Sequence, residues 1–261
     1  MEIVLDKSFL YRSGSQKISH LCFSNQVLMP EALFYELLTT SSENRAKCFR
    51  NLPAADNPVM LIKNVGYILR TEVKNKMPFT DIKDASHNIR YIFNNKLIDP
   101  NHEFTCEQKN TISTWRADIH SRIEDFKQKA AVVSGWFPAV KHFKAGSNRE
   151  PIEKAKLLLC KDHSVVKSIY EQIRHQSFPE TDLIDERWAL FREIQVQVIA
   201  ALDYVGKYGD NNPLIVSKKI ENEYMDLEYC ITALMVGALA SYDKGMIQRF
   251  LSILPEGKVI N

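Results

Sequence analysis

Short strand-like runs at both ends of the chain, with helical periodicity between them, restrict this sequence to a narrow set of architectures. Ile3-Val4-Leu5 is too brief an apolar run for a helix and is ended by Asp6, so it reads as a buried strand with a carboxylate at its C-terminal tip. A second run, Gln26-Val27-Leu28-Met29, reaches Pro30, which suits the first position of a helix over Glu31 to Thr40. The opening is therefore strand, connection, strand, helix. The last forty residues repeat this grammar. A helix begins near Glu221 and runs through Leu227, Ile231 and Leu234, and Gly237 to Ser241 forms a short strand ending at Asp243. An amphipathic helix over Gly245 to Leu254 and a turn at Pro255-Glu256-Gly257 lead to a terminal strand, Lys258-Val259-Ile260. Strands at both ends of one chain imply a single sheet closed by its two termini, so the class is α/β with helix in the majority.

Between about Ser41 and Ile220 the pattern is helical, broken at Asn51 to Pro58, Asp99 to Asn101, Gly146 to Pro151, Phe178 to Thr181 and Gly209 to Pro213. The clearest helix is expected over Ile184 to Tyr204, where Trp188, Phe191, Ile194, Val198 and Leu202 recur every three or four residues. There is no internal repeat and no low-complexity linker. The expectation is one domain over residues 1–261, its core drawn from 1–40 and 221–261 and a helical elaboration from about 41–220.

Composition removes several function classes. The 261 residues are 45% hydrophobic and 25% charged, which describes an ordinary globular chain. With 34 Lys+Arg against 32 Asp+Glu, no global charge excess marks a nucleic-acid-coating protein, so any such contact must rest on a local patch. No apolar run approaches the roughly 18 to 20 residues that cross a bilayer, and Glu2 and Asp6 interrupt what would be a signal's apolar region. Cys22, Cys48, Cys106, Cys160 and Cys230 are odd in number and form no Cys-x-x-Cys pair, and the seven histidines are as scattered. The expectation is a cytoplasmic protein with no membrane contact, no disulfide framework and no zinc ligand set.

Four acidic residues stand in chemically suggestive places. Asp6 ends the first strand, Glu36 lies in the first strong helix, Asp226 in the helix before the late strand, and Asp243 just after that strand. If the late strand lies parallel beside the first, Asp6 and Asp243 emerge at the same sheet edge, where open α/β sheets put their chemistry. Each acid alone has an ordinary explanation: a helix cap, a solvated face, or, for Asp226, a solvent-facing acidic stripe with Glu221, Glu223 and Glu228. Their joint placement points to a site. Oxygen ligands of this kind suit Mg²⁺ or Mn²⁺, and a cation keeps crowded carboxylates ionised.

The opening Ile3-Val4-Leu5-Asp6-Lys7-Ser8-Phe9-Leu10, followed by Val27-Leu28-Met29-Pro30-Glu31-Ala32-Leu33-Phe34-Tyr35-Glu36-Leu37-Leu38, resembles the start of a PIN-domain nuclease. Met225-Asp226-Leu227-Glu228-Tyr229-Cys230-Ile231 is similar to that family's acidic helix start. Ala240-Ser241-Tyr242-Asp243-Lys244-Gly245-Met246 is similar to its Ser/Thr-x-Asp-Lys turn, and Pro255 to Ile260 to its closing strand. The likeness covers roughly residues 1–40 and 221–261; the middle is much longer than in compact members of the family. It implies a PIN-like three-layer α/β sandwich with a small, mostly parallel sheet and a large helical insertion. The activity it implies is metal-dependent hydrolysis of a phosphodiester, with RNA favoured over DNA as the nucleic acid substrate, in a toxin or defence effector.

On that likeness Asp6, Asp226 and Asp243 hold Mg²⁺ or Mn²⁺ and Glu36 completes the catalytic set or orients the attacking water. Ser8 and Ser241 would hydrogen-bond the ligating carboxylates or a phosphate oxygen, and Glu223 is a reserve ligand. Glu31, in the first turn after Pro30, is adequately explained by the helix dipole. Substrate is expected along Phe126 to Arg149, which contains no acid and carries Lys127, Lys129, Lys141, Lys144 and Arg149 interleaved with Trp136, Phe137 and Phe143. The plainer account makes the two aromatics Trp136 and Phe137 core and the lysines ordinary surface. An inhibitory or regulatory protein partner and a homo-oligomer are both compatible with this reading.

Two other readings compete. A haloacid-dehalogenase-type phosphatase also begins with a strand-end Asp, but there a second Asp two residues later acts as general acid, and this chain has Ser8; Gly209-Asp210 would have to supply the late acidic motif without a preceding strand. Alternatively the frame is a catalytically inactive PIN-like module that binds a protein partner through its helical middle.

Overall fold

The computed structural model describes residues 1–55, 57–87, 95–209 and 218–261. Asp210 and the rest of the expected break at Gly209 to Pro213 lie outside the described residues, apart from Gly209 itself. Among the described residues five strands form one sheet: β1 (Glu2–Leu5), β2 (Gln26–Pro30), β3 (Met60–Ile62), β4 (Ala238–Ala240) and β5 (Lys258–Ile260). Their order is β3-β2-β1-β4-β5 and every pairing is parallel. Val4 faces Leu28 on one side and Leu239 on the other, so β1 is central. Ile3, Val4, Leu5, Leu28 and Leu239 are fully buried, as a strand covered on both faces requires. Each such side chain contributes about 1.5 to 3 kcal/mol of burial.

Helices fill the connections, among the described residues: α1 (Lys7–Arg12), α2 (Ser15–Ser24), α3 (Glu31–Thr39), α4 (Ser42–Asn51), α5 (Val65–Asn75), α6 (Cys106–Ala131), α7 (Val133–Trp136), α8 (Glu150–Lys161), α9 (His163–Ile173), α10 (Ala189–Tyr208), α11 (Lys218–Val236) and α12 (Lys244–Ile253). None is long and apolar enough to cross a membrane. The fold is thus α/β, mostly helical, on a small all-parallel sheet.

The chain forms two compact units. The first comprises Met1–Ile68, Asp81–Asp118 and Glu228–Asn261, and the second Leu69–Thr80 and Ile119–Leu227. Within the first unit, α4 packs on α1, α2 and α3, and Met60–Ile62 adds β3 to the sheet. The middle is therefore not wholly helical: a three-residue strand, anchored by Met29 opposite Leu61, extends the sheet from inside it.

In the second unit α10 packs against α7, α8 and α9. It starts at Ala189 rather than at Ile184, because Asp185 folds a turn: its side chain accepts from the Arg187 amide and its carbonyl from the Trp188 amide, both at 3.0 Å. The orphan amides of α10 are met from another helix. Glu72 of α5, itself fully buried, accepts from Ala189 N at 2.8 Å and Leu190 N at 2.9 Å, and also from Phe79 N at 2.9 Å. Burial raises the Glu72 pKa, against the lowering effect of these amides. The helix runs past Tyr204 to Tyr208 and ends where Gly209 adopts φ +88°, with a Cβ there meeting Phe143 O at 3.2 Å.

In the first unit Gly237, at φ +80°, stops α11 and turns the chain directly into β4. Its amide donates to Ala233 O at 2.8 Å, closing the last helical turn.

Candidate active site

Strands β2 and β3 lie on one side of β1, and β4 and β5 on the other, so the order reverses between β1 and β4. In an open parallel sheet the carboxyl ends of the strands flanking such a reversal leave a crevice. Asp6 follows β1 there, and Ser241 and Asp243 follow β4. The two chain segments are tied together by backbone: Asp6 N donates to Ala240 O at 3.0 Å, and Ser241 N to Ile260 O at 3.0 Å.

Asp6 is the N-cap residue of α1 but makes no side-chain cap bond. Its carboxylate is held by two serines instead. Ser241 Oγ donates to Asp6 Oδ2 at 2.6 Å, and Ser8 Oγ donates to the same oxygen. Each hydroxyl also accepts a backbone amide: Ser8 from Tyr242 N and Ser241 from Asp243 N, both at 2.9 Å. Each hydroxyl oxygen can accept an amide while its hydrogen is directed to Asp6, and the two hydroxyls also lie 3.3 Å from one another. Asp6 is 3% exposed. Burial raises its pKa; the hydrogen bonds from Ser241 and Ser8 pull it down, and the charge of Glu36 adds to the rise.

Asp243 caps α12, its Oδ1 accepting from Met246 N at 2.8 Å, while its Oδ2 accepts no hydrogen bond among the described residues. Between Ser241 and Asp243, Tyr242 stacks on Phe9 with ring centroids 5.4 Å apart. Lys17, donating at 2.9 Å, and Ser13 hold the Tyr242 phenol below its ordinary pKa.

Glu36 is engaged at both oxygens. Oε1 accepts from Lys7 Nζ at 3.0 Å and Oε2 from the Tyr229 hydroxyl at 2.7 Å. Lys7 also donates to Thr40 Oγ1 at 3.4 Å. Neither Lys7 nor Tyr229 stands out as functional in the sequence, although both lie inside the motifs that carry the family likeness.

Of the expected site residues, Asp6, Ser8, Glu36, Ser241 and Asp243 all fall in the first unit, and hydrogen bonds join Asp6, Ser8, Ser241 and Asp243 into one network. Asp226 and Glu223 are half-buried on α11 and belong to the second unit. The acidic stripe expected around them is not uniformly solvent-facing: Glu228 is 3% exposed and accepts from Val65 N at 3.0 Å. Glu31 likewise does more than face the helix dipole. It is 7% exposed and receives both the amide and the side-chain nitrogen of Asn64, at 3.0 and 3.1 Å, which ties α3 to the end of β3.

The acid-free stretch also differs in detail from the expectation of an open basic strip. Phe126 and Phe137 are core residues, while Trp136 and Phe143 are half-buried. Lys127 pairs with Glu124 at 2.6 Å, Lys129 donates to Gln197 at 2.8 Å, and Arg149 lies 3.6 Å from Asp203 and 3.7 Å from Glu153. Acids flanking the stretch in sequence, Glu124 and Glu153, and Asp203 of α10 thus compensate part of a segment that has none of its own. Lys141 and Lys144 are exposed.

Whether the site suits a hard divalent cation depends on its donors. Among the described residues no three His, Cys, Asp or Glu side chains are grouped so as to hold a metal ion. The donors around Asp6 and Asp243 are all oxygens, and Mg²⁺ is commonly held by only one or two carboxylates, with waters and substrate phosphate completing its shell. A buried carboxylate whose ionised form is penalised by desolvation is one that a cation would stabilise. The donor chemistry fits. Comparison with protein-family models, with curated proteins and with solved structures finds no match to this chain.

Proposed function

We propose that the chain is a metal-dependent nuclease with a PIN-like three-layer sandwich, hydrolysing phosphodiester bonds with RNA favoured over DNA. The single observation that carries this reading is the pair of serine relays converging on Asp6 at the reversal of strand order, with Asp243 one serine away. Asp6 is thereby oriented by two hydroxyls, and Asp243 follows the neighbouring strand tip, where an α/β sheet binds ligands.

Asp6 and Asp243 would hold Mg²⁺ or Mn²⁺. When bound, the ion supplies charge that offsets the pentavalent phosphorane and lowers the pKa of water. The chain's own groups do the rest. Ser8 and Ser241 fix the orientation of Asp6, so the carboxylate costs little reorganisation at the moment of reaction. Lys7 and Tyr229 hold Glu36 beside it. In the overall step a water oxygen bonds to phosphorus, the phosphorus–oxygen bond to the leaving group breaks, and the water's proton ends on the departing oxygen.

The test is cleavage of single-stranded RNA and DNA by the purified chain with Mg²⁺ or Mn²⁺ and with a chelator. Cleavage should require the ion and be lost in Asp6→Asn and Asp243→Asn. Both variants cutting like the parent would refute the site. A second reading, an inactive module that binds a protein partner, draws support from Glu36, whose two oxygens are already engaged within the protein. Inactivity of the parent on both nucleic acids would select it.

A further inference from the structure

We infer that the outer face of Tyr242 stacks an unpaired base of the nucleic acid strand and so fixes one nucleotide beside Asp243. The inference rests on the nuclease reading and deepens it by adding a base-binding subsite. Tyr242 lies between Ser241, which donates to Asp6, and Asp243. Its own amide donates to Ser8 Oγ at 2.9 Å, so the backbone that carries the ring belongs to the network that orients Asp6.

The two faces of the ring have different surroundings. Phe9 stacks on one of them, with centroids 5.4 Å and planes 16° apart, and Phe9 is fully buried whereas Tyr242 is half-buried. Tyr242 is therefore the outer member of the pair. Lys17 does not cover the second face: its Nζ is 2.9 Å from the hydroxyl oxygen and 5.3 Å from the ring centroid, which puts it beyond the hydroxyl and off the edge of the ring. Among the described residues no second aromatic ring and no other cation lies against Tyr242.

The ring is also held in place. Phe9 fixes its inner face, and Lys17 and Ser13, the latter at 3.4 Å, fix its hydroxyl, so stacking a base on it costs little further side-chain entropy. Every base has a π face, and an aromatic ring beside a cation is a common grip on a single strand. Lys17 is that cation: it is exposed, and it sets positive charge at the edge of the ring, where the anionic backbone of a stacked nucleotide runs nearby. The surroundings select the occupant. An apolar protein segment laid on the ring would meet Lys17, Asp243 and Lys244, all exposed and charged, whereas a strand whose phosphate is drawn to Asp243 by a divalent ion brings its base to the ring already tethered.

The experiment measures binding of short single-stranded RNAs to the full-length chain by fluorescence anisotropy in Ca²⁺, with a gel to verify that the strands stay intact. In the set of strands, one nucleotide at a time lacks its base. For the parent, loss of the base at one position should weaken binding about tenfold or more. In Tyr242→Leu, which keeps an apolar side chain over Phe9, that penalty should disappear while those at other positions stay, and Tyr242→Trp should retain it; circular dichroism verifies folding. In the parent itself, bromouracil at the sensitive position should photocrosslink to Tyr242, a readout that needs no variant. No sensitive position in the parent, an equal penalty in Tyr242→Leu, or crosslinks that map to other residues would each overturn the inference while the nuclease reading stood. A parent that shows the Tyr242-dependent penalty yet cuts neither RNA nor DNA in Mg²⁺ or Mn²⁺ would keep the stacking site and remove the nuclease. A parent that binds no strand would remove both.

Discussion

Ser241 Oγ donates to Asp6 Oδ2 at 2.6 Å although 235 positions separate the two residues in sequence. The contact exists because β1 and β4 are parallel neighbours whose C-terminal tips emerge together, with Leu5 opposite Ala240. Ser241 is fully buried and joins two bonds, one to Asp6 and one from the Asp243 amide. Ser241→Ala should therefore cost about 1 to 3 kcal/mol, since it removes a partner of a buried carboxylate and the acceptor of the Asp243 amide. Ser8→Ala should be non-additive with it, because both hydroxyls serve one oxygen; a double-mutant cycle in urea measures the coupling.

Asp6 should give the fold a particular pH dependence. Its pKa is raised in the folded state from 3.8, so the folded protein keeps this proton at pH values where the unfolded chain has lost it. Stability contributed by Asp6 is thus full below the unfolded value, falls as pH rises through the folded one, and is flat above. Asp6→Asn lacks that slope. In chelator, its stability relative to the parent should rise from about pH 4 toward neutrality and end equal or higher. A variant that is less stable than the parent at pH 7 would show that the ionised carboxylate is better solvated by its two serines than burial suggests.

Glu72 offers a test in the second unit that is independent of any activity. Its carboxylate is the acceptor for the amides of Phe79, Ala189 and Leu190. Glu72→Ala should destabilise by on the order of 3 kcal/mol or more, since buried amides are left without partners. Glu72→Gln keeps an oxygen in the Oε1 position, which serves two of the three, and should cost less. Equal losses in the two variants would mean that packing, and not amide capping, is what Glu72 contributes.

Much of the sheet is legible in the sequence. β1, β2, β4 and β5 are apolar runs bounded by a charged residue, a proline or a glycine, and each falls within a residue or two of its expected place. β3 is not legible, because Met60-Leu61-Ile62 is equally compatible with a helical turn and becomes a strand only through its pairing with β2. The start of α10 is misjudged for a local reason: apolar spacing continues back to Ile184, while Asp185 diverts the backbone into a turn. At the site, residue type and position point to Asp6 and Asp243, but nothing short of topology pairs Lys7 with Glu36, 29 positions away.

The exposed end of the acid-free stretch makes a separable prediction. Lys141 and Lys144 are exposed, whereas Arg149 lies against Asp203 and Glu153. If these two lysines neutralise phosphates of a single strand, replacing both by Gln should reduce the slope of log affinity against log salt by about 0.7 per phosphate. Arg149→Gln should leave the slope nearly as it was. Fluorescence anisotropy with labelled RNA over a salt series distinguishes them, and an unchanged slope in the double variant would make the whole segment plain surface.

The central position of β1 has a consequence for how the protein is made. β1 leaves the ribosome more than two hundred residues before β4 and waits beside an open flank until then, and Asp6 lacks Ser241 for all of that time. Pairings so distant in sequence close late, because chain entropy must be given up before any contact compensates it. A nascent or prematurely terminated chain thus presents β1 without its second neighbour and holds no assembled acidic site. Strand order alone sets this delay, since the Asp6–Ser241 pair cannot form before β4 has been made.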